Sequence, residues 1–243
     1  MKKLNAIEEI CIAGKTIEHI IKLPSGNHKG KRNKKTEKTS EEVQKYNDLV
    51  AERNLRRLVN HNFSEGDCHF TFTYAEAPDQ ERAQKDLENF FRRLRRKLQK
   101  QEKELKYVAV TEFENKRIHH HIIMNLADIK LVSKTWTKGH VRASILDDSG
   151  DYTLLANYLI KETQKTFRKG ENVKKRRYSA SRNLERPEVI RRRISAKRLY
   201  EDPAPTEGYQ VIKEHRLLAG KRERLRGRLG VAKSDQMSGA RTN

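Results

Sequence analysis

Two short apolar runs separated by a polar turn constrain the fold of this chain most strongly. They lie in residues 107–125, YVAVTEFENKRIHHHIIMN, where YVAV and HIIM flank the turn ENKR. Apolar runs of this length, bounded by turn residues, predict the two strands of an antiparallel hairpin. Three consecutive histidines open the second strand, and buried imidazoles need hydrogen-bond partners or a ligand. The hairpin therefore raises the question of what holds these histidines.

Helical and strand patterns alternate on either side of the hairpin. The segment DCHFTFTY alternates aromatic and polar residues and predicts a strand, as does HVRASIL. Apolar residues at helical spacing predict helices from about residue 40, after Pro78, in LADIKLVSKTW and in DYTLLANYLIKETQKTF. The order strand, helix, strand, strand, helix, strand, helix predicts an α+β fold, with an antiparallel sheet covered on one face by helices.

Composition suggests that basic segments flank this domain. We expect residues 1–40 to form a strand and a flexible basic arm, residues 41–190 the main domain, and residues 191–243 a basic extension. The last ~20 residues are expected to be disordered, because they are polar and basic. We find no internal repeat in the sequence.

The charge balance points to a polyanionic partner. The chain of 243 residues has a formal net charge of +21, which makes nucleic acid the first candidate partner and a membrane surface the second. No apolar run approaches the roughly 18 residues needed to span a bilayer. Glu8 and Glu9 occupy the place where a signal peptide needs an apolar core, so we expect a cytosolic protein. Its two cysteines, Cys11 and Cys68, form no CxxC pair, which argues against disulfide or zinc-thiolate sites.

Strand geometry predicts a metal site at the hairpin. Alternation sends His119 and His121 to one face of the sheet and His120 to the other. If the turn centres on the NK of ENKR, Glu112 lies opposite His119, and paired residues share a face. Two imidazoles and a carboxylate suit a divalent metal such as Mn²⁺, Mg²⁺ or Zn²⁺. The alternative is a solvated edge strand with incidental histidines, and His120 is either a core histidine or a substrate contact.

A tyrosine on the last predicted helix is the candidate nucleophile. In LANYLIKET, Tyr158 and Lys161 are three residues apart and share a helical face. A phenol is a poor nucleophile at neutral pH, and a nearby ammonium or metal favours the phenolate. The alternative is that Tyr158 packs in the core beside Leu155 and Leu159.

Several motifs, in order, resemble those of HUH endonucleases of the rolling-circle replication initiator type. They are NHNFSEGDCHFTFTY (60–74), VTEFENKRIHHHIIMN (110–125), LANYLIKE (155–162) and YSASRNLERP (178–187). The chain looks most like the bacterial replication-associated proteins of plasmids and mobile elements, and the resemblance covers residues 40–190. It implies a palm like that of ferredoxin or RNA-recognition domains.

The resemblance also implies the roles of individual residues. His119 and His121 would hold Mn²⁺ or Mg²⁺ with Glu112 as third ligand, Tyr158 would attack DNA, and Lys161 would help to position it. The expected reaction is site-specific nicking of single-stranded origin DNA, which leaves a 5′-phosphotyrosyl link and a free 3′-hydroxyl. The expected partners are an origin hairpin and the helicase and polymerase of a bacterial host, in the cytoplasm.

The sequence departs from that pattern in two places. The bulky residue between the two signature histidines is itself His120, so a shifted ligand pair stays open. Only Tyr158 lies in the nucleophile motif, because Tyr152 is six residues earlier and off its face. A second attack would therefore need another route, such as a second subunit. No GxxxxGK[ST] segment indicates a fused helicase.

Basic clusters are the candidate DNA contacts, although a charge run is usually a solvated face. Tyr178 either stacks on a base or packs in the core. The candidates are Arg92, Arg93, Arg95, Arg96, Lys175, Arg176, Arg177, Tyr178 and Arg182.

Two other functions stay open on the sequence alone. One is a basic nucleic-acid-binding protein without catalysis, whose histidines are structural. The other is a relaxase or single-strand transposase with the same HUH chemistry. Relaxases usually carry the tyrosine before the histidines, whereas here it follows them.

Overall fold

The chain divides into two units. The structure, a computed structural model, describes residues 5–24, 41–112, 118–126, 128–169, 177–201, 206–219 and 222–232. Residues 35–186 form one unit, here called the central unit, and residues 1–34 with 187–243 form the other, here called the terminal unit. These divisions fall a few residues from the boundaries expected at 40 and 190. None of the helices in the described residues is long and apolar enough to cross a bilayer.

The central unit is α+β, as predicted, and its elements follow the predicted order. Its strands form one antiparallel sheet in the order β6-β3-β5-β4-β7. Its elements are α1 (Glu41–Asn62), β3 (Cys68–Phe72), α2 (Gln80–Gln99), β4 (Tyr107–Glu112), β5 (His119–Met124), α3 (Ile129–Thr135), β6 (Val141–Ile145), α4 (Thr153–Lys169) and β7 (Ser179–Ala180).

Helices cover both faces of this sheet, so the prediction that they cover one face was wrong. One face packs against α2 and α3 through a core that includes Phe70, Phe72, Phe90 and Trp136. The other face packs against α1 and α4 through a second core, which includes Val110. Strands such as β4 and β5 are buried on both faces, which explains why they read as nearly continuous apolar runs rather than as strict alternation.

Local sequence signals explain why α2 begins where it does and which side it buries. Asp79 caps the helix, since its side chain accepts a hydrogen bond from the backbone N–H of Arg82 at 2.7 Å. Glu81 lies in the first turn, where the helix dipole favours negative charge. The buried residues of the helix recur every three or four positions, which gives one apolar side facing the sheet. They are Ala83, Asp86, Leu87, Phe90, Phe91, Leu94 and Leu98.

The terminal unit contains a second antiparallel sheet built from both ends of the chain. The two ends were predicted as separate extensions, but β1 pairs with β2 on one side and with β8 on the other. The strand order is β8-β1-β2-β10-β9. The strands are β1 (Asn5–Ala13), β2 (Thr16–Lys22), β8 (Val189–Ser195), β9 (Tyr209–Ala219) and β10 (Arg222–Ala232), and a short 3-10 helix spans Ala196–Leu199.

Strand β10 enters the region that was expected to be disordered. It pairs with β2 on one side and with β9 on the other, so partners far away in sequence order its basic residues. The prediction of a disordered tail was therefore too broad for residues up to Ala232, and residues 233–243 lie outside the described part of the chain. Ion pairs also join the ends, since Arg191 contacts Glu9 at 3.0 Å.

Candidate active site

The β4–β5 hairpin brings three of the predicted site residues together. Glu112 pairs with His119 in the register of the two strands, as the sequence predicted. The carboxylate Oε2 of Glu112 lies 4.0 Å from Nδ1 of His119 and 3.8 Å from Nε2 of His121. The predicted turn at residues 113–117 lies outside the described residues. Glu112 therefore sits between the two imidazoles at the end of the hairpin.

Helix α4 places Tyr158 beside the same histidine. The Tyr158 hydroxyl lies 3.5 Å from Nε2 of His121, and the two rings meet edge to face at 88° with centroids 5.2 Å apart. Ala156, Leu159 and Ile160 anchor this helix in the core of the α1 and α4 face. Tyr158 itself is 43 % exposed, so it is open to a substrate rather than enclosed in the core.

The second tyrosine of α4's N-terminal region has a structural role. Tyr152 is 5 % exposed, belongs to the core under α1 and α4, and donates a hydrogen bond to the backbone carbonyl of Asp147 at 3.0 Å. Its hydroxyl is thus engaged away from the cluster of histidines. This agrees with the prediction that Tyr152 lies off the face of Tyr158.

Strand β3 adds two residues that sequence reasoning missed. Thr71 pairs with His121, and its Oγ1 lies 3.4 Å from Nδ1 of His121. The ring of His69 stacks on that of His121, with centroids 5.5 Å apart and planes 16° from parallel. The Nε2 atom of His69 is buried and has no hydrogen-bond partner among the described residues. Alternation in DCHFTFTY puts His69 and Thr71 on one face, but the sequence does not show that β3 lies next to β5.

His120 points to the opposite face and is a core histidine. It has no exposed surface, its Nε2 lies 2.8 Å from the Tyr74 hydroxyl, and its Nδ1 lies 3.0 Å from Oγ1 of Thr111. Trp136 packs edge to face against the same ring. Because both ring nitrogens are engaged in the core, a shifted ligand pair that uses His120 does not fit this structure.

Burial keeps the histidines of the site neutral. Burial lowers the pKa of His121 to about 4, and the charges of His69 and His119 add to this shift. Burial alone lowers the pKa of His69 to about 4. A neutral imidazole has a free lone pair, which is the form that binds a metal ion. At neutral pH the site therefore offers nitrogen donors rather than positive charges.

The electrostatic surroundings of Tyr158 work against its ionisation. Burial raises the pKa of the Tyr158 hydroxyl, and the negative charges of Glu162 and Glu112 raise it further. A phenol already ionises only near pH 10. Formation of a nucleophilic phenolate therefore needs positive charge from a bound ion or from the protein.

The donor atoms fit a divalent metal in kind but are not yet closely spaced. Two ligand atoms that bind one ion at about 2.1 Å, at right angles, lie roughly 3 Å apart. The separations of 3.8 and 4.0 Å around Glu112 are wider. Accordingly, no group of three His, Cys, Asp or Glu side chains within the described ranges is spaced around a metal position. Rotation of the Glu112 side chain would shorten both distances, and two neutral imidazoles with one carboxylate suit Mn²⁺ or Mg²⁺.

The α2 arginines proposed as DNA contacts lie on the other side of the sheet. Helix α2 packs on the face opposite to His121 and Tyr158. Arg93 donates a hydrogen bond to the carbonyl oxygen of Thr135 at 3.1 Å, at the end of α3. Three others, Arg92, Arg95 and Arg96, are exposed; Arg92 contacts Asn89, and Arg95 hydrogen-bonds the Tyr107 side chain. Their distance from the reacting tyrosine argues for a role outside the immediate site.

The remaining predicted DNA contacts differ in exposure. Arg177 forms an ion pair with Asp48 of α1 and is mostly buried, which indicates a structural role. Tyr178 packs against the core under α1 and α4, which favours packing over stacking on a base. Arg182 and Lys161 are exposed. Two others, Lys175 and Arg176, lie outside the described residues.

One family model matches the chain. Residues 67–167, less than half of the chain, match the model of a family of replication-associated proteins, the ORF2 family. The matched stretch includes Glu112, His119, His121 and Tyr158. No curated protein and no solved structure shows a significant match. The similarity supports a replication-associated protein of the initiator type, with a role in DNA replication.

Proposed function

We propose that the chain is a rolling-circle replication initiator that nicks single-stranded origin DNA through Tyr158. The observation that carries this proposal is the 3.5 Å approach of the Tyr158 hydroxyl to His121, beside Glu112 and His119. A nucleophile next to potential metal ligands is the arrangement that phosphodiester attack requires. The match to replication-associated proteins makes the initiator proposal stronger than that of a relaxase or transposase.

The reaction assigned to Tyr158 is a transesterification. Its phenolic oxygen bonds to phosphorus while the bond from phosphorus to the 3′ oxygen of the preceding nucleotide breaks. The tyrosine gives up one proton and the departing 3′ oxygen takes one up, so the products are a 5′-phosphotyrosyl link and a free 3′-hydroxyl. That hydroxyl is the primer for a host polymerase, and a host helicase would open the duplex ahead of it.

The other residues of the site would prepare the phosphate and the nucleophile. A divalent metal held by His119, His121 and Glu112 would neutralise negative charge on the phosphate oxygens. Thr71 contacts the far nitrogen of His121 and so fixes the orientation of that ring. The exposure of Tyr158 lets an extended DNA strand reach its hydroxyl.

A covalent adduct would test this proposal directly. The protein is incubated with Mn²⁺ and labelled single-stranded oligonucleotides tiled across the DNA that flanks its gene, and adducts are separated under denaturing conditions. We expect an adduct that carries a 3′ label, is abolished by EDTA, and is absent in Tyr158→Phe. Tyr46→Phe is the matched control, because Tyr46 of α1 has similar exposure, 46 %, and should react normally. An adduct that persists in Tyr158→Phe would contradict the assignment of the nucleophile.

Concentration of basic charge in the terminal unit favours one second candidate, nucleic-acid binding without catalysis. Residues 1–34 and 187–243 contain 22 lysines and arginines against 10 aspartates and glutamates. Such a surplus binds nucleic acid independently of the tyrosine. This candidate predicts DNA or RNA binding that is unchanged by EDTA and by His119→Ala, with no adduct on any oligonucleotide.

A further inference from the structure

We propose that Arg142 of β6 binds a phosphate of the DNA strand next to the one that Tyr158 attacks, and so positions the strand for nicking. This inference rests on the proposed function and adds a residue that the motifs do not include. It assigns a role to the part of the sheet that α1 and α4 leave open.

The strand registers place Arg142 in one row with His121. Across the sheet, Val110 pairs with His121, His121 with Thr71, and Thr71 with Arg142. Directly paired residues point to the same face of a sheet. The neighbours of Arg142 in β6, Val141 and Ala143, pack into the α2 and α3 core, which independently places Arg142 on the face of His121.

Side chains along this row form a polar and accessible floor. Thr71 contacts His121 at 3.4 Å, and Ser144 of β6 lies 3.5 Å from Nδ1 of His69. Thr71 and His69 are partly exposed, whereas Arg142 and Ser144 are exposed. The floor therefore leads from the buried His121 to solvent at the β6 edge, and its hydroxyl, imidazole and guanidinium groups suit a sugar-phosphate backbone.

The charges of the site call for a cation at this position. Two carboxylates, Glu112 and Glu162, act electrostatically on Tyr158, and a DNA strand adds one negative charge per phosphate. The guanidinium of Arg142 has no ion-pair or hydrogen-bond partner within the part of the chain that the structure describes. Other arginines are already paired with acidic side chains, namely Arg56, Arg177, Arg191 and Arg192.

The distance between the two residues fits neighbouring phosphates. Adjacent strands lie about 4.8 Å apart, so the backbone of Arg142 is about 10 Å from that of His121, two strands away. The long side chain of Arg142 can reach back over Thr71 to a phosphate between them. A guanidinium binds phosphate through two parallel hydrogen bonds, which fixes the orientation of the strand as well as its charge.

Salt-dependent DNA binding and adduct formation test this role. The affinity of Arg142→Gln for a single-stranded oligonucleotide that wild type nicks is measured over a series of salt concentrations, alongside the rate of adduct formation. We expect affinity to fall on the order of tenfold. We also expect the slope of log affinity against log salt to become shallower by about 0.7, the loss of one single-strand phosphate contact. Arg142→Lys should restore most of the slope but less of the adduct rate, because it keeps the charge and loses the fork geometry.

The controls separate this inference from the proposed function. Arg82→Gln removes an exposed arginine of α2, on the opposite face, and should leave the salt slope and the adduct rate unchanged. Thermal unfolding of each variant checks that the fold is intact. Absence of an adduct in wild type on every oligonucleotide would overturn the proposed function and this inference with it. An adduct in wild type, with the same salt slope and rate in Arg142→Gln, would overturn the role of Arg142 alone.

Discussion

His120 and His121 are adjacent in one strand, yet the two faces of the sheet use them in opposite ways. On the α2 and α3 face, His120 is fully buried with partners at 2.8 and 3.0 Å. On the other face, His121 has Thr71, Tyr158 and Glu112 around it at 3.4 to 3.8 Å. Short contacts to both nitrogens mark a histidine that holds the fold, whereas longer contacts to reactive groups leave room for a ligand. The alternation of a strand thus separates stability from chemistry.

Truncation of the α2 core should give the largest loss of stability. Phe90 has no exposed surface and packs edge to face against Phe72 with ring centroids 4.8 Å apart. Phe90→Ala should lower the free energy of unfolding by about 3 to 5 kcal/mol, because it removes buried apolar surface and leaves a cavity. Urea unfolding followed by circular dichroism measures this change. Thr71→Ala on the site face should cost far less, and an equal loss in both variants would contradict the division between the faces.

Replacement of the two adjacent histidines should separate their roles. His120→Leu should lower the free energy of unfolding by about 1 to 3 kcal/mol, because Tyr74 and Thr111 lose a buried partner. His121→Leu places an apolar side chain at a site of neutral imidazole and should change stability less, while it prevents adduct formation. Urea unfolding and the adduct assay, run on both variants, measure the two effects. A variant of His121 that nicks DNA normally would remove this residue from the proposed site.

Acid should destabilise the site face through its buried histidines. The pKa of His69 is lowered to about 4 in the folded chain, below the value near 6.5 of an exposed histidine. The unfolded chain therefore binds more protons between these values, so stability is lost as pH falls from about 6.5 to 4. Each such histidine contributes at most about 1.4 kcal/mol per pH unit. His69→Gln should make the free energy of unfolding, measured without metal at pH 7.5 and 5, less sensitive to pH; an unchanged sensitivity would contradict the burial of this ring.

Local patterns were enough to predict the hairpin half of the site. A short turn between two apolar runs fixes the register, so the pairing of Glu112 with His119 followed from sequence spacing. Helical periodicity likewise put Tyr158 on one side of α4. The side chains of His119 and His121 came to one face because strand alternation has a period of two.

Features that depend on distant pairing were not predictable from one sequence. The placement of β3 between β5 and β6 decides that His69, Thr71 and Arg142 lie near His121, and no local pattern specifies that order. Periodicity gave the apolar side of α2 but not the sheet face that it covers, so its arginines were expected at the site. The terminal sheet was missed for the same reason, since β1 pairs with β8 across most of the chain length.

Mass spectrometry of the covalent adduct would test the central claim most directly. The Mn²⁺-dependent product is digested with protease and nuclease, and the modified peptide is sequenced to find the residue that carries the nucleotide. The account predicts a single 5′-phosphotyrosyl modification on Tyr158, in the peptide that contains LANYLIK, and none in reactions with EDTA. Attachment at Tyr46, Tyr178 or any other residue would contradict the claim that Tyr158, His119, His121 and Glu112 act together on one phosphate.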